Sequence, residues 1–148
     1  MLKLAIAADH GGFELKEYIA DYLRSREDIE LIDLGTDTDE HSVDYPDYAA
    51  RVARTIQTGE AHLGILLCGT GIGISITANK FKGIRAALCH DGYTARMSRA
   101  HNDANILAMG GRTTGKETAL DMVRIWLETP FEGGRHSLRI GKISEYEG

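Results

Sequence analysis

Cys68 is the side chain whose neighbours best equip it for chemistry. It follows the apolar run Ile65–Leu67 and opens onto Gly69, Gly71 and Gly73. An apolar run reads as a buried strand, and the residues from Ile74 to Phe81 read as a helix. A strand, a glycine turn and a helix together make an anion site, because free backbone N–H groups and the positive end of the helix dipole converge there. A thiol beside a helix N-terminus tends toward thiolate. Such a sulfur is a base or nucleophile facing a place where negative charge can develop.

Other chemistry-bearing residues gather by the same logic. Strand positions Leu2–Ala8, Leu31–Leu34, Gly64–Leu67, Arg85–Cys89 and Asn105–Met109 alternate with helical stretches. The helices run from Phe13 to Arg26, from Pro46 with the buried stripe Ala49, Val52, Ala53 and Ile56, then Ile74–Phe81, Tyr93–Ala100 and Lys116–Glu128. A last short helix is expected in the tail, Thr129–Gly148. Unbroken alternation predicts one α/β domain: a three-layer, doubly wound, Rossmann-like fold with a five-stranded parallel sheet and helices on both faces. In such sheets ligands bind beyond the carboxyl ends of the strands. Asp9-His10, Cys68-Gly69-Thr70 and Gly110-Gly111-Arg112 all fall at that edge. His101-Asn102 does not. It follows a helix C-terminus and so faces the other edge, where a second subunit would have to make it useful.

Each of these residues has a plainer reading. Asp9 suits a helix N-cap and His10 a turn, but the pair at a strand end points to function. Arg135 and Arg139 sit four apart and share a face if helical, most simply a solvated one; Gly133-Gly134 before them suggests a backbone that must be flexible or come close to something. Cys89, inside an apolar strand, reads as core. His41, His62, His90 and His136 read as ordinary structural histidines.

The bulk properties narrow the function class. The chain has 148 residues, 43% hydrophobic and 26% charged, with a net charge of -5. That composition is ordinary for a soluble globular domain and gives no support to nucleic-acid binding. No stretch approaches the ~20 apolar residues of a membrane helix, and Met1–Ala7 reads as strand rather than signal peptide. The two cysteines lack C-x-x-C spacing, so neither a zinc site nor a disulfide framework is expected, and a cytoplasmic protein with reduced thiols is. The glycines form G-x-G-x-G after the third strand, unlike the dinucleotide fingerprint, with Asp91 the one feature in its favour. The G-K-[ST] of a phosphate loop is absent, and Ile74 stands where a cysteine phosphatase needs arginine.

Taken in order, the blocks Asp9-His-Gly-Gly-Phe13, Asp44-Tyr-Pro46, Gly64–Lys80, Gly83-Ile-Arg-Ala86, Ser98–Asp103, Asn105-Ile-Leu107, Gly110-Gly-Arg112 and Glu132-Gly-Gly-Arg-His136 span nearly the whole chain. They resemble the type B ribose-5-phosphate isomerases, a family that also includes galactose-6-phosphate isomerase subunits. The resemblance implies interconversion of ribose 5-phosphate and ribulose 5-phosphate at a site without metal or other cofactor. It implies a homodimer or tetramer whose sites are shared between subunits. By similarity Cys68 removes the proton next to the carbonyl, and His101 opens the sugar ring with help from Thr70 and Asp9. His10, Arg135 and Arg139 would hold the phosphate, with Arg112 from the partner, and Asn102 would bond sugar hydroxyls. The backbone N–H groups of Gly69, Thr70, Gly71, Ile72 and Gly73 suit the enediolate oxygen. Two rival expectations stand beside this: the same chemistry on allose or galactose 6-phosphate, or a non-catalytic module that binds a phosphorylated ligand. A chain with the complete set of site residues favours the pentose enzyme, because the galactose enzyme is built from two different subunits.

Overall fold

The computed structural model describes residues 1–148. Five strands alternate with helices and a sixth helix ends the chain. The elements are β1 (Leu2–Ala8), α1 (Phe13–Arg24), β2 (Ile29–Asp33), α2 (Tyr45–Gln57), β3 (Leu63–Cys68), α3 (Ile72–Ala78), β4 (Ala86–Leu88), α4 (Gly92–Ala100), β5 (Ile106–Gly110), α5 (Lys116–Glu128) and α6 (Arg135–Ser144). The sheet order is β2-β1-β3-β5-β4, and every pair is parallel. This is the doubly wound, Rossmann-like architecture that the alternation predicts.

The central strands are buried on both faces, and their side chains alternate between them with a period of two. Leu4, Ile6, Ala8, Ile65, Leu67, Leu107 and Met109 face α1, α4 and α5. Ala5, Ala7, Leu66, Cys68, Ile106 and Ala108 face α2 and α3. The alternation thus assigns Cys68 to the α2–α3 face, in the last position of β3. Cys89 is buried in the opposite core layer, as its apolar strand context predicts.

Several boundaries differ from the sequence expectation, for local reasons. β2 covers Ile29–Asp33 rather than Leu31–Leu34, because Ile29 and Glu30 already pair with Leu2 and Lys3. α1 ends at Arg24, where the Ser25 N–H turns back to the carbonyls of Asp21 and Tyr22. α3 starts at Ile72, not Ile74, and stops at Ala78. The chain reverses within one residue at Gly71, whose φ of 79° is open to glycine at little cost.

The start of α1 comes directly against the end of β3. A Cβ on Gly12 would lie 2.6 Å from the Leu67 Cβ and 2.7 Å from its carbonyl carbon. Lys16, one turn into α1 and 1% exposed, ties this helix to β2 through an ion pair with Asp33 at 2.9 Å. Gly12 therefore sets how closely Asp9-His10 approaches Cys68. Gly12→Ala is expected to lower the unfolding free energy by about 2–3 kcal/mol, the cost of overpacking against backbone. Urea unfolding measures it, and a loss below about 0.5 kcal/mol, the size of an ordinary surface substitution, contradicts the packing argument.

Candidate active site

The Cys68 turn is held by backbone bonds to both neighbouring strands. The Asp9 N–H donates to the Leu67 carbonyl at 3.1 Å, Gly111 N–H to the Cys68 carbonyl at 2.8 Å, and Arg112 N–H to the Gly69 carbonyl at 3.0 Å. Cys68 is 4% exposed, and its Sγ accepts the Gly71 N–H at 3.1 Å. The Ile72 N–H goes to Thr70 Oγ1 at 3.2 Å. That leaves the amides of Gly69, Thr70 and Gly73 without a partner in the chain. The anion cradle foreseen from Gly69 to Gly73 is thus divided: two amides stabilise the turn and the sulfur, and three remain for a ligand.

Around this turn stand Asp9, His10, Arg112 and Tyr45. The Asp9 Oδ1 accepts from the N–H groups of Gly11 at 2.9 Å and Gly12 at 3.2 Å. This is the local turn role of a short acidic side chain, and it fixes the carboxylate next to the turn. The His10 Nδ1 accepts the Val43 N–H at 3.1 Å, which puts the proton of neutral imidazole on Nε2 as a free donor. That bond also anchors the loop before α2. Tyr45 covers Gly73: a Cβ there would meet its ring at 2.5 Å and its hydroxyl at 2.8 Å. Sequence reasoning left Tyr45 without a role, and the signal for it was the glycine it requires beneath it.

The resemblance implies Arg112 from a partner subunit; within one chain its guanidinium lies over Gly69, with Nη1 3.2 Å from where a Cβ would stand. The cause is strand pairing: Cys68 and Gly110 are opposite each other in the β3–β5 ladder, so the residues after them share one turn.

A second group lies at the other edge of the sheet. His101 caps the C-terminus of α4, its N–H donating to the Met97 carbonyl at 2.9 Å. Asn105, four residues on, receives the Gly64 N–H at 2.8 Å, so this segment sits at the start of β3. From Gly64 to Cys68 is four strand steps, or roughly 13 Å. One chain therefore does not bring His101 and Asn102 to Cys68. The ring of His101 stacks on His136 at 4.1 Å with 13° between planes. Glu132 Oε1 is 3.7 Å from the Nε2 of each. His136, which looked ordinary in sequence, is 5% exposed and its Nε2 has no hydrogen-bond partner. Burial first, then repulsion from His101 and Arg135, holds its pKa below the ordinary imidazole value.

Arg135 and Arg139 occupy one face of α6 and are exposed. Eleven arginines are present in the sequence. Arg112, Arg135 and Arg139 are the three whose guanidinium makes no hydrogen bond, ion pair or aromatic contact; the others are engaged, as Arg85 is with Asp103 and Arg54 with Phe81. Cavities of about 770 and 550 Å³ open elsewhere on the surface, and neither is lined by Cys68. The smaller lies beside Asp33 and Arg51, and the larger touches the second group only through Asn102.

Comparison with known proteins adds independent findings. A family model described as Ribose/Galactose Isomerase matches residues 4–143. The ribose-5-phosphate isomerase B of Escherichia coli strain K12 is 50% identical over 147 residues, 99% of this chain and 97% of that one. The D-erythrulose-4-phosphate isomerase of Pectobacterium atrosepticum is 44% identical over 147 residues, covering 99% of this chain and 96% of that one. The solved structure of Clostridium thermocellum ribose-5-phosphate isomerase B matches with a TM-score of 0.96 at 56% identity, covering 99% of this chain and 97% of that one.

The depressed His136 pKa has a consequence for stability. Below about pH 6.5 the unfolded chain binds a proton that the folded chain resists, so stability falls as pH drops from there toward the folded value. His136→Phe keeps the stacking surface but cannot titrate. Urea unfolding between neutral and mildly acidic pH should show a smaller loss for this variant than for the wild type; equal losses contradict the assignment.

Proposed function

The chain belongs to the ribose/galactose isomerase family as an aldose–ketose sugar-phosphate isomerase, and on that premise we propose that it interconverts ribose 5-phosphate and ribulose 5-phosphate, with Cys68 as the base. The observation that supports this reading best is the Cys68 turn itself, where a sulfur and three amides without a partner in the chain belong to one turn.

The reaction needs a base, an anion cradle and a phosphate grip. Cys68 Sγ takes the proton from the carbon beside the aldehyde and returns it to the neighbouring carbon. The enediolate formed between these steps carries its charge on oxygen, and the proton of the C2 hydroxyl passes to the former aldehyde oxygen, which becomes the hydroxyl of the ketose. Amides of Gly69, Thr70 and Gly73 are fixed before the charge develops, so they stabilise it without reorganisation. The Gly71 N–H on Sγ supplies a donor for the sulfur when it is negative. Asp9 beside the turn and Thr70 within it orient the hydroxyls.

The remaining parts come from a second copy in this reading. His101 of the partner subunit opens the sugar ring, and Asn102 of the partner subunit bonds its hydroxyls. Phosphate is held between His10 and Arg112 of one chain and the partner's Arg135 and Arg139. Arginine suits a dianion because its fork offers paired donors. Exposed apolar side chains support the pairing: Ile72 and Ile76 flank the Cys68 turn on α3, and Leu138 and Ile143 line α6. In α6 only His136 is buried, so the helix lacks the cover that an amphipathic element needs. A four-carbon sugar phosphate is the alternative substrate, favoured by the Pectobacterium relative at 44% identity.

Turnover of ribose 5-phosphate in heavy water, with chelator present, tests the chemistry. The wild type should form ketose and incorporate deuterium at carbon. Cys68→Ala should lose at least about 10³-fold in turnover while retaining substrate binding, as removal of a proton-transferring group does. Retained turnover removes Cys68 as the base. No reaction with the pentose, but reaction with erythrose 4-phosphate, moves the assignment to the shorter sugar.

A further inference from the structure

Three donor atoms at the amino edge converge without satisfying one another. His101 caps α4, Glu132 lies between α5 and α6, and His136 sits in the first turn of α6. At 3.7 Å, Glu132 Oε1 is beyond hydrogen-bond reach of either Nε2. A buried ring nitrogen left without a partner is costly, and His136 Nε2 is such an atom. The two ring nitrogens and the carboxylate oxygen all lie within 4.8 Å of one another. We propose that His101, Glu132 and His136 form a binding site for a divalent transition cation of the Zn²⁺ type, and that filling it inhibits the isomerase. The inhibition rests on the role given to His101 above; the site does not.

Two imidazoles and a carboxylate are a zinc donor set that leaves a fourth position for water. Bonds of about 2.0–2.1 Å in a tetrahedron need donors some 3.3 Å apart, so the present cluster must contract. His101 and Glu132 have the room, with side chains 37% and 56% exposed, while His136 is held by its surroundings. The ring of His101 must also tilt out of its stack, because an imidazole binds metal in its own plane. His136 meets the steric requirement: its Nε2 is buried and has no hydrogen-bond partner, so nothing in the chain competes for it. Arg135 and Arg139 on the same helix oppose a cation, whereas Glu132 attracts it. The balance favours ions that bond covalently to nitrogen over Mg²⁺ or Ca²⁺, which need oxygen donors. Once the ion is bound, the His101 lone pair is committed and cannot move the ring-opening proton.

Calorimetric titration of the chelator-treated full chain with Zn²⁺ reads the site without reference to activity. One ion per chain is expected. Glu132→Gln and His136→Gln should each weaken binding by about tenfold or more, and Cys68→Ala should leave it unchanged. Circular dichroism checks that His136→Gln folds, and Glu132→Gln alters only an exposed side chain. Affinity unaffected by Glu132→Gln overturns the site, as does affinity lost in Cys68→Ala, which would move the ion to the thiolate. Zn²⁺ should also slow wild-type turnover reversibly on adding chelator; binding without inhibition overturns the inhibitory role and leaves the site. If the chain turns over no sugar phosphate, the functional reading fails while the titration still decides the site.

Discussion

The hydrogen bond from the Gly71 amide to Cys68 Sγ depends on a backbone reversal that the rest of the site inherits. At a φ of 79°, Gly71 turns its N–H back onto the sulfur and starts α3 at the next residue. A side chain at Gly71 would meet the Met109 carbonyl carbon at 2.7 Å and Leu88 at 2.6 Å. The turn is therefore pressed against β5 and β4, and the sheet fixes its shape. From this one reversal follow the direction of the unpartnered amides, the place of the helix N-terminus and the position of Tyr45 over Gly73.

The sheet then imposes a division of labour. Residues that follow β1, β3 and β5 meet at the carboxyl edge, which unites Asp9, His10, Cys68, Thr70 and Arg112. A helix returning from β4 must deliver its C-terminus to the amino edge, which is where His101 and Asn102 lie. No side chain spans the roughly 13 Å between the Gly64 and Cys68 ends of β3. Pairing two copies is the simplest way to unite the groups, and α6 offers both the free arginines and exposed apolar side chains for it. The three guanidiniums without partners divide in the same way, one at the carboxyl edge and two on α6. A dianionic ligand held between the carboxyl edge of one chain and α6 of a second copy would meet all three.

Much of this was legible in the sequence because local rules govern it. Near-continuous apolar runs mark β1, β3 and β5, and the glycine pattern after Cys68 marks the turn that follows β3. Helix direction alone predicts that the segment after α4 lies at the amino edge, and His101 is the C-cap of α4 there. The start of α3 is less legible, because three spaced glycines read alike in sequence although Gly71 alone makes the reversal. That Arg112 stands beside Gly69 of its own chain is a matter of strand register, the opposition of Gly110 to Cys68, which the residues around Arg112 do not reveal. His136 passed as ordinary for a similar reason. Its burial and its stacking on His101 depend on the path of the chain after α5, set by the Glu132 N–H on the Ala100 carbonyl at 3.0 Å.

The central claim is that one catalytic centre draws on two chains. Cys68→Ala and His101→Asn chains, carrying different tags, can be co-expressed and the mixed assembly purified through both tags. Each variant alone should be inactive. The mixed dimer should recover about half the wild-type turnover, because one of its two sites unites an intact Cys68 with an intact His101. A mixed assembly as inactive as its parents, or no mixed assembly at all, would contradict the shared site.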